Sequence, residues 1–586
     1  MLPPKKTEDL DRLRHSCAHI LAQAVQSLFP SVKLAIGPAI QNGFYYDFDF
    51  ERSFTDEDLK AIEAKCLVII REGQAFSGKK VSRKEACELF KKRAERYKLE
   101  LLEGLPDDNI WLHSNGPFVD LCRGNHIENT NQVKAFKLLS VAGAYWRGNE
   151  HNPMLQRIYG TAFYAEEDLQ KYLARLEEAQ KRDHRKLGRE LDLFSFHEEA
   201  PAIPFFHPKG RVLYNELVRY WREEHAREGY LEIATPMILR DQLWKQSGHY
   251  DHYKEHMYFT KMDQIQFAIK PMNCPGATVV YRSSQRSYRD LPLRFSELGL
   301  VHRYELSGVL HGLFRAKAFT IDDAHIFCYG EQLENEIAKV IELVLKMYRT
   351  FGFTDVTIYL STRPQDSMGT SEIWEKATKG LEAALAKCKI SYQTNEGGGA
   401  FYGPKVDFEI RDSIGRDWQC GTVQLDFMMP ERFGLEYIGA DGKKQQPIMV
   451  HRAVFGSVER FYGILVEHFG GAFPLWLAPV QVLVATISEK QESVGRHVHQ
   501  TLLAAGIRSE LDSRPEKIGY KIREAELAKI PYTVVIGAKE SEENTIAVRA
   551  RGRKDLGSMK LDVFINQLNR EILTKQWEVP HQVPKK

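Results

Sequence analysis

"LRFSELGLVHRYELSGVLHGLFRAKAFTIDDAHIF", residues 293–327, is the stretch on which the fold turns. Two apolar runs flank a polar segment that holds Arg303, Glu305 and Arg315, so the stretch predicts two strands joined by a charged loop. Arginines converging from a strand and its returning loop suit a polyphosphate, because planar guanidinium groups take phosphate oxygens in pairs. Alone, the pattern equally fits a solvated hairpin with surface ion pairs. Further on, "GSVERFYGIL" (456–465) opens a helix with small residues and carries Arg460, which in isolation reads as a surface side chain.

Working outward, 191–476 mixes aromatic-rich strands with long helices such as "GEQLENEIAKVIELVLKMYRTFG" (330–352). Strands without regular βα alternation predict an antiparallel sheet. After "PLWLAPVQVLVA" the pattern becomes β-α-β-α, which predicts a small α/β domain over 477–586 with a mostly parallel sheet. Upstream, 166–190 is charged and helix-rich and predicts a connecting helix. Residues 1–165 combine a capped amphipathic helix at 7–29, strands and turns around "AIGPAIQNGFYYDFDF" (35–50), and helices at 56–72 and 82–96, so an α+β domain is expected there. The fold class is thus multidomain, α+β and α/β.

At 586 residues the chain has room for roughly three to five domains. Hydrophobic residues at 43% and charged residues at 27% are ordinary for a globular protein, and a net charge of +2 leaves any nucleic-acid binding to local basic patches. Such a patch is "VRARGRK" (548–554). Eight cysteines without short-spaced pairs, beside 20 histidines, read as free thiols in a reducing compartment rather than a disulfide framework. The start "MLPPKKTEDLDRLRHSC" has no apolar h-region and no stretch approaches the length of a membrane span, so a cytoplasmic protein with no membrane partner is expected.

In "HSCAHILAQAV" (15–25), His15 and His19 lie one helical turn apart and share a face, as zinc ligands would. No Glu follows the first His, so the metalloprotease pattern H-E-x-x-H is not met.

Taken together, these features resemble the class II aminoacyl-tRNA synthetases. "EGYLEIATPMI" (228–238), the loop with Arg303 and Glu305, and "GSVERF" with Arg460 look like that class's three motifs. Within the class the likeness is to the threonyl family. It is carried by "MNCPGA" (272–277), "DDAHIF" (322–327), "FYGPKVDF" (401–408), "WQCGTVQLDF" (418–427) and "HRAVFGSVERF" (451–461). It extends through "SCAHILA", "VDLCRGNH" and "AGAYWRG" near the start, and "EKIGYKIRE" and "KDLGSMK" near the end, so it covers about residues 7–575.

The resemblance implies a 1–165 editing domain, a 166–190 linker helix, a 191–476 class II catalytic domain and a 477–586 anticodon-binding domain. It implies ATP-dependent joining of L-threonine to tRNA(Thr), with one zinc per chain on Cys274, His325 and His451 and with Mg2+ accompanying ATP. Those three ligands lie 51 and 126 residues apart, so no local pattern exposes them. Three protein ligands leave zinc open positions, which the amine and hydroxyl of threonine can fill and valine cannot. By the same resemblance Arg303, Arg315 and Arg460 meet the ATP phosphates, Glu305 and Phe319 the adenine, and Lys405, Gln419 and Thr422 make further reactant contacts. Asp323 and Tyr402 hold threonine, and His249 stands near the terminal ribose of the tRNA. Such chemistry has no covalent enzyme intermediate; positioning and charge neutralisation carry it.

Serine lacks only a methyl, worth roughly 1–3 kcal/mol or 10- to 200-fold, too little for accurate translation, so a second, hydrolytic site is required. The resemblance places that editing pocket at His15, His19, Cys122 and His126, with Asp120 and Lys98 completing it, and implies that it holds no metal. The donor types alone leave zinc open. In the last domain Glu540 and Arg549 are candidate anticodon contacts, and Lys517 and Arg523 candidate phosphate contacts. A homodimer is expected from the 212–238 helix and strand. The chain departs from the family pattern at Ile321 and Pro515, where Gln and Asn are usual, and lacks the small ubiquitin-like domain that precedes the histidine pair in many relatives. A prolyl or seryl enzyme would lack the Cys-His-His set and this editing domain. A non-catalytic paralogue should have lost Arg303, Arg460 or a zinc ligand, and a freestanding deacylase would not need 191–476.

Overall fold

The computed structural model describes residues 4–107, 110–149, 151–552 and 554–575. It divides into two compact units, Met1–Glu177 and Glu178–Lys586.

The first unit is built on the helix Pro4–Leu28, which buries Leu13, Cys17, Ile20, Leu21 and Ala24, positions three or four apart that form one face. That face packs on an antiparallel sheet in which Gly43–Asp49 lies between Lys33–Leu34 and Met154–Phe163, with Ala135–Tyr145 outermost. The helix Asp56–Glu72 covers the core from the side. Thr55 and Asp58 form a capping box at its start, and Gly73, at φ 63°, ends it in the left-handed conformation. A second, three-stranded sheet runs Phe76–Lys80, Trp111–Asn115, Phe118–Leu121. The expected connecting helix over 166–190 is two helices, Glu166–Lys181 and His184–Glu190; Asp183 breaks it and caps the second by accepting from the Arg185 amide at 2.8 Å.

The second unit holds an eight-stranded sheet whose core is antiparallel, as the aromatic-rich strands foretold. In order across the sheet, Leu293–His302, Ala318–Cys328, Ile448–Ser457, Asp417–Asp426, Lys405–Arg411 and Val356–Ser361 pair antiparallel, while the edge strands Leu231–Glu232 and Gln393–Asn395 pair parallel. The helix Gly330–Thr350 lays Ile337, Val340, Ile341, Val344 and Met347 against one face. The helix Val458–Phe469 starts where Ser457 accepts from the Arg460 amide at 3.1 Å, and ends at Gly470 with φ 57°.

The C-terminal part is a five-stranded sheet in the order Ser509–Asp512, Val482–Thr486, Tyr532–Ile536, Ile546–Ala550, Lys554–Met559. The first three strands are parallel and the last two antiparallel. Arg508 and Arg551 tie it to the segment after Phe469 by donating to the carbonyls of Trp476, Ala478, Ala472 and Phe473.

Candidate active site and editing cluster

The sheet of the second unit floors a cleft of about 490 Å3. Cys274 opens the helix Cys274–Arg282, with Pro275 in the first turn where a missing amide hydrogen costs nothing. His325 and His451 occupy directly paired positions on adjacent strands. All three side chains are buried, line the cleft and bring their donor atoms within 4.8 Å of one another. Asp426 stands 2.9 Å from His451 Nε2, a carboxylate–imidazole contact of the kind that orients metal-binding histidines. Burial pushes the Cys274 thiol well up and the His325 imidazole well down, so both favour their neutral forms until a cation supplies compensating charge. One thiolate and two imidazoles with open positions fit zinc.

Beside this cluster the half-buried Asp323 accepts from Asn273 Nδ2 at 2.8 Å, and desolvation raises its carboxyl above the usual range. The Tyr402 hydroxyl donates to Gln424 Oε1, and its ring lies 5.2 Å from that of His451. Lys405 and Gln419 share one partner, Asp407, at 3.0 and 2.7 Å. Thr422 accepts from Gln424 at 3.2 Å.

At the other end of the cleft the Arg303 guanidinium sits 5.2 Å from the centre of the Phe319 ring and donates to the Pro271 carbonyl at 3.2 Å. Arg315 and Glu305 pair at 2.9 Å. Arg460 projects from the first turn of its helix, and among the described residues its buried Nε has no hydrogen-bond partner. An unpaired buried guanidinium nitrogen facing a cleft with Arg303 and Arg315 is a place for an anion. Ile321 also lines the cleft, beside an irregularity in strand pairing between Ile321 and Asp323.

The fold thus gathers every expected catalytic-domain residue into one cleft except His249. That side chain is 0% exposed, donates to or accepts from Ser247 Oγ at 2.8 Å, and places Nε2 3.8 Å from Cys274 Sγ. It stands behind the cysteine, with no exposed surface for a ribose. The partners Asn273, Asp407, Gln424 and Asp426 were not foreseen, since nothing in their local sequence marks them.

In the first unit His15, His19, Cys122 and His126 converge with donor atoms within 4.8 Å. His15 Nε2 is 2.9 Å and His126 Nε2 3.4 Å from Cys122 Sγ, and Ser16 Oγ is 3.1 Å from His126 Nδ1. The chain makes room with Gly124, where a Cβ would stand 2.6 Å from His15 Nε2. Burial lowers the pKa of His15, His19 and His126, with the neighbouring histidines lowering the last two further, and burial pushes the Cys122 thiol up to about 11. Burial thus favours the uncharged form of each of the four. Next to it Lys98 and Asp120 form a buried ion pair at 2.5 Å, with Tyr46 donating to Asp120 at 2.6 Å. His113 joins the group with its ring 4.7 Å from that of His126, and neither Tyr46 nor His113 was expected there.

In the C-terminal sheet Glu540 accepts from the Gly537 amide at 2.9 Å and caps the helix Ala538–Glu543. Arg549 lies 3.5 Å from Asp555, and its buried Nε has no partner among the described residues. Lys517 precedes the helix Ile518–Leu527 that carries Arg523, and Pro515 lies in the bend before it.

These features match three described families. "tRNA synthetase class II core domain (G, H, P, S and T)" matches residues 258–469, "Anticodon binding domain" residues 481–571, and "Threonyl and Alanyl tRNA synthetase second additional domain" residues 112–159. The chain is a class II aminoacyl-tRNA synthetase. The threonine–tRNA ligase of Acetivibrio thermocellus is 59% identical over 567 residues, 97% of this chain and 89% of that protein. That of Caldanaerobacter subterraneus is also 59% identical, over 96% of this chain and 87% of that protein. The chain belongs to the threonyl-tRNA synthetase family. A crystal structure of the RNA-binding domain of threonyl-tRNA synthetase from Cryptosporidium parvum superposes with a TM-score of 0.65 at 40% identity, covering 66% of this chain and 98% of that one.

Proposed function

We propose that this enzyme joins L-threonine to tRNA(Thr) through a threonyl-adenylate and hydrolyses seryl-tRNA(Thr) at a second site. The observation that carries the reading is the buried Cys274, His325 and His451 group at one end of a cleft whose other end holds Arg303, Arg315 and Arg460. Cys274, His325 and His451 would hold a zinc ion, which when bound would supply Lewis acidity toward the amine and hydroxyl of threonine. Asp323, fixed by Asn273, accepts the hydroxyl hydrogen, and Tyr402, fixed by Gln424, borders the amine. Phe319 offers its face and Glu305 its carboxylate to the adenine. The three arginines neutralise the triphosphate, which Mg2+ accompanies, and hold the α-phosphorus in line with the threonine carboxylate. Lys405, Gln419 and Thr422 line the path between the two ends.

The first unit supplies the editing pocket. His15, His19, Cys122 and His126 hold a water or the ribose hydroxyl, in a pocket that works without a metal. Arg549 and Glu540 on the C-terminal sheet meet the anticodon, and Lys517 and Arg523 the backbone. The exposed Leu231, Met237 and Ile238 of the motif-1 segment form part of a homodimer contact. Among the described residues no helix is long and apolar enough to cross a membrane. Amino-acid-dependent pyrophosphate exchange tests the reading: threonine should be strong, serine weak and valine silent. Equal exchange with valine would overturn it.

A further inference from the structure

His184 opens the helix His184–Glu190, is 0% exposed, and forms with Asp183 and Glu467 a group of potential metal donors. Its ring is already fully engaged. Nδ1 is 2.7 Å from Glu467 Oε1, a carboxylate that also accepts from the His184 amide at 2.9 Å, while the Leu313 amide donates to Nε2 at 3.1 Å. Because an amide can only donate, Nε2 must carry the lone pair and Nδ1 the hydrogen, so the imidazole is neutral and no donor is left for a metal.

The two bonds run to the two arms of the ATP site. Leu313 belongs to the turn Gly312–Phe314 and lies two residues before Arg315; Glu467 lies seven residues, two helical turns, after Arg460 on the same face. The arms touch tightly around the ring. A Cβ on Gly312 would be 2.3 Å from His184 Nε2, and one on Gly463 would be 3.0 Å from Phe314 and 3.2 Å from Leu313. Phe314, which lines the cleft, packs 4.1 Å from the His184 ring and 4.4 Å from Trp418. Arg416 holds the far oxygen of Glu467 at 2.6 Å.

We infer that His184 is a positioning residue for ATP, a neutral two-way clamp that fixes the Arg315 loop to the Arg460 helix. It touches no substrate; it sets the spacing of the arginines that do. This rests on the reading of Arg315 and Arg460 as phosphate-binding groups. His184→Ala should raise the KM for ATP in pyrophosphate exchange by roughly five- to tenfold, about what one lost net hydrogen bond is worth. The KM for threonine and the zinc content should be unchanged. Gln reaches the Nε2 position and can accept from the Leu313 amide, whereas Asn reaches only as far as Nδ1. His184→Gln should therefore recover the KM for ATP and His184→Asn should not. An unchanged KM for ATP in the Ala variant overturns the inference. So does an equal KM in the Gln and Asn variants, which decide the matter if the Ala variant does not fold. Arg315→Ala separates the two readings: if it too leaves the KM for ATP unchanged, the placement of ATP is wrong; if it raises the KM while the His184 variants do not, only the clamp fails.

Discussion

His325 and His451 stand directly opposite each other on neighbouring antiparallel strands, their ring centres 5.1 Å apart. Directly opposed residues project to the same face of a sheet, so this register alone brings two distant histidines side by side. Cys274 then closes the third side from the start of a helix. A slip of one residue in that register would send one imidazole to the other face.

The purified enzyme should carry about one zinc per chain, and His325→Ala or Cys274→Ala should lose it, because only two protein donors would remain. Elemental analysis of the variants checks this. Stoichiometric zinc in both would remove these residues from the metal site.

Asp426→Asn should keep the fold but weaken zinc binding by roughly 10- to 100-fold, the usual cost of removing a carboxylate that orients a ligating histidine. Chelator competition measures the affinity. An unaltered affinity would mean that the 2.9 Å contact with His451 is structural only.

Arg303→Ala and Arg460→Ala should each lower kcat/KM for adenylate formation by about 10² to 10³, the scale of losing one preorganised charge contact at the reacting centre. Circular dichroism and zinc content should match the parent. Near-parental exchange rates would displace ATP from this end of the cleft.

Changing His15 and His19 together to Ala should abolish hydrolysis of seryl-tRNA(Thr) while leaving threonine activation and charging nearly intact. Mischarged product should accumulate when serine is supplied. A double variant that clears seryl-tRNA at the parental rate would reduce the histidine cluster to packing.

Lys98→Met should destabilise the first unit by about 3–5 kcal/mol, because Asp120 would be left as an unpaired buried charge. Amide hydrogen exchange in the strand Gly43–Asp49, which carries Tyr46, should accelerate, while the strand Ala318–Cys328 in the second unit should not change. Unchanged protection at Tyr46 would show that the ion pair at 2.5 Å contributes no net stability.

What the sequence determined by itself were features carried by near neighbours and by motif. The spacing of His15 and His19 placed both on one helix face, and Ala318–Cys328 showed its strand through a run of apolar and β-branched residues. The quoted motifs gave the family and, through it, the expectation that Cys274, His325 and His451 come together. Only the tertiary structure decided what those residues touch. The break at Asp183, where a side-chain cap outweighs a helix-rich composition, could not be read from charge patterning. The burial of His249 behind Cys274, the shared Asp407 under Lys405 and Gln419, and the Asp426 contact to His451 all depend on strand register and long chain crossings. Helical and strand periods are written within a few residues and survive in a linear text. Contacts between residues far apart in the chain are set by how sheets pair and helices pack, and a linear text carries that only when a family likeness supplies it.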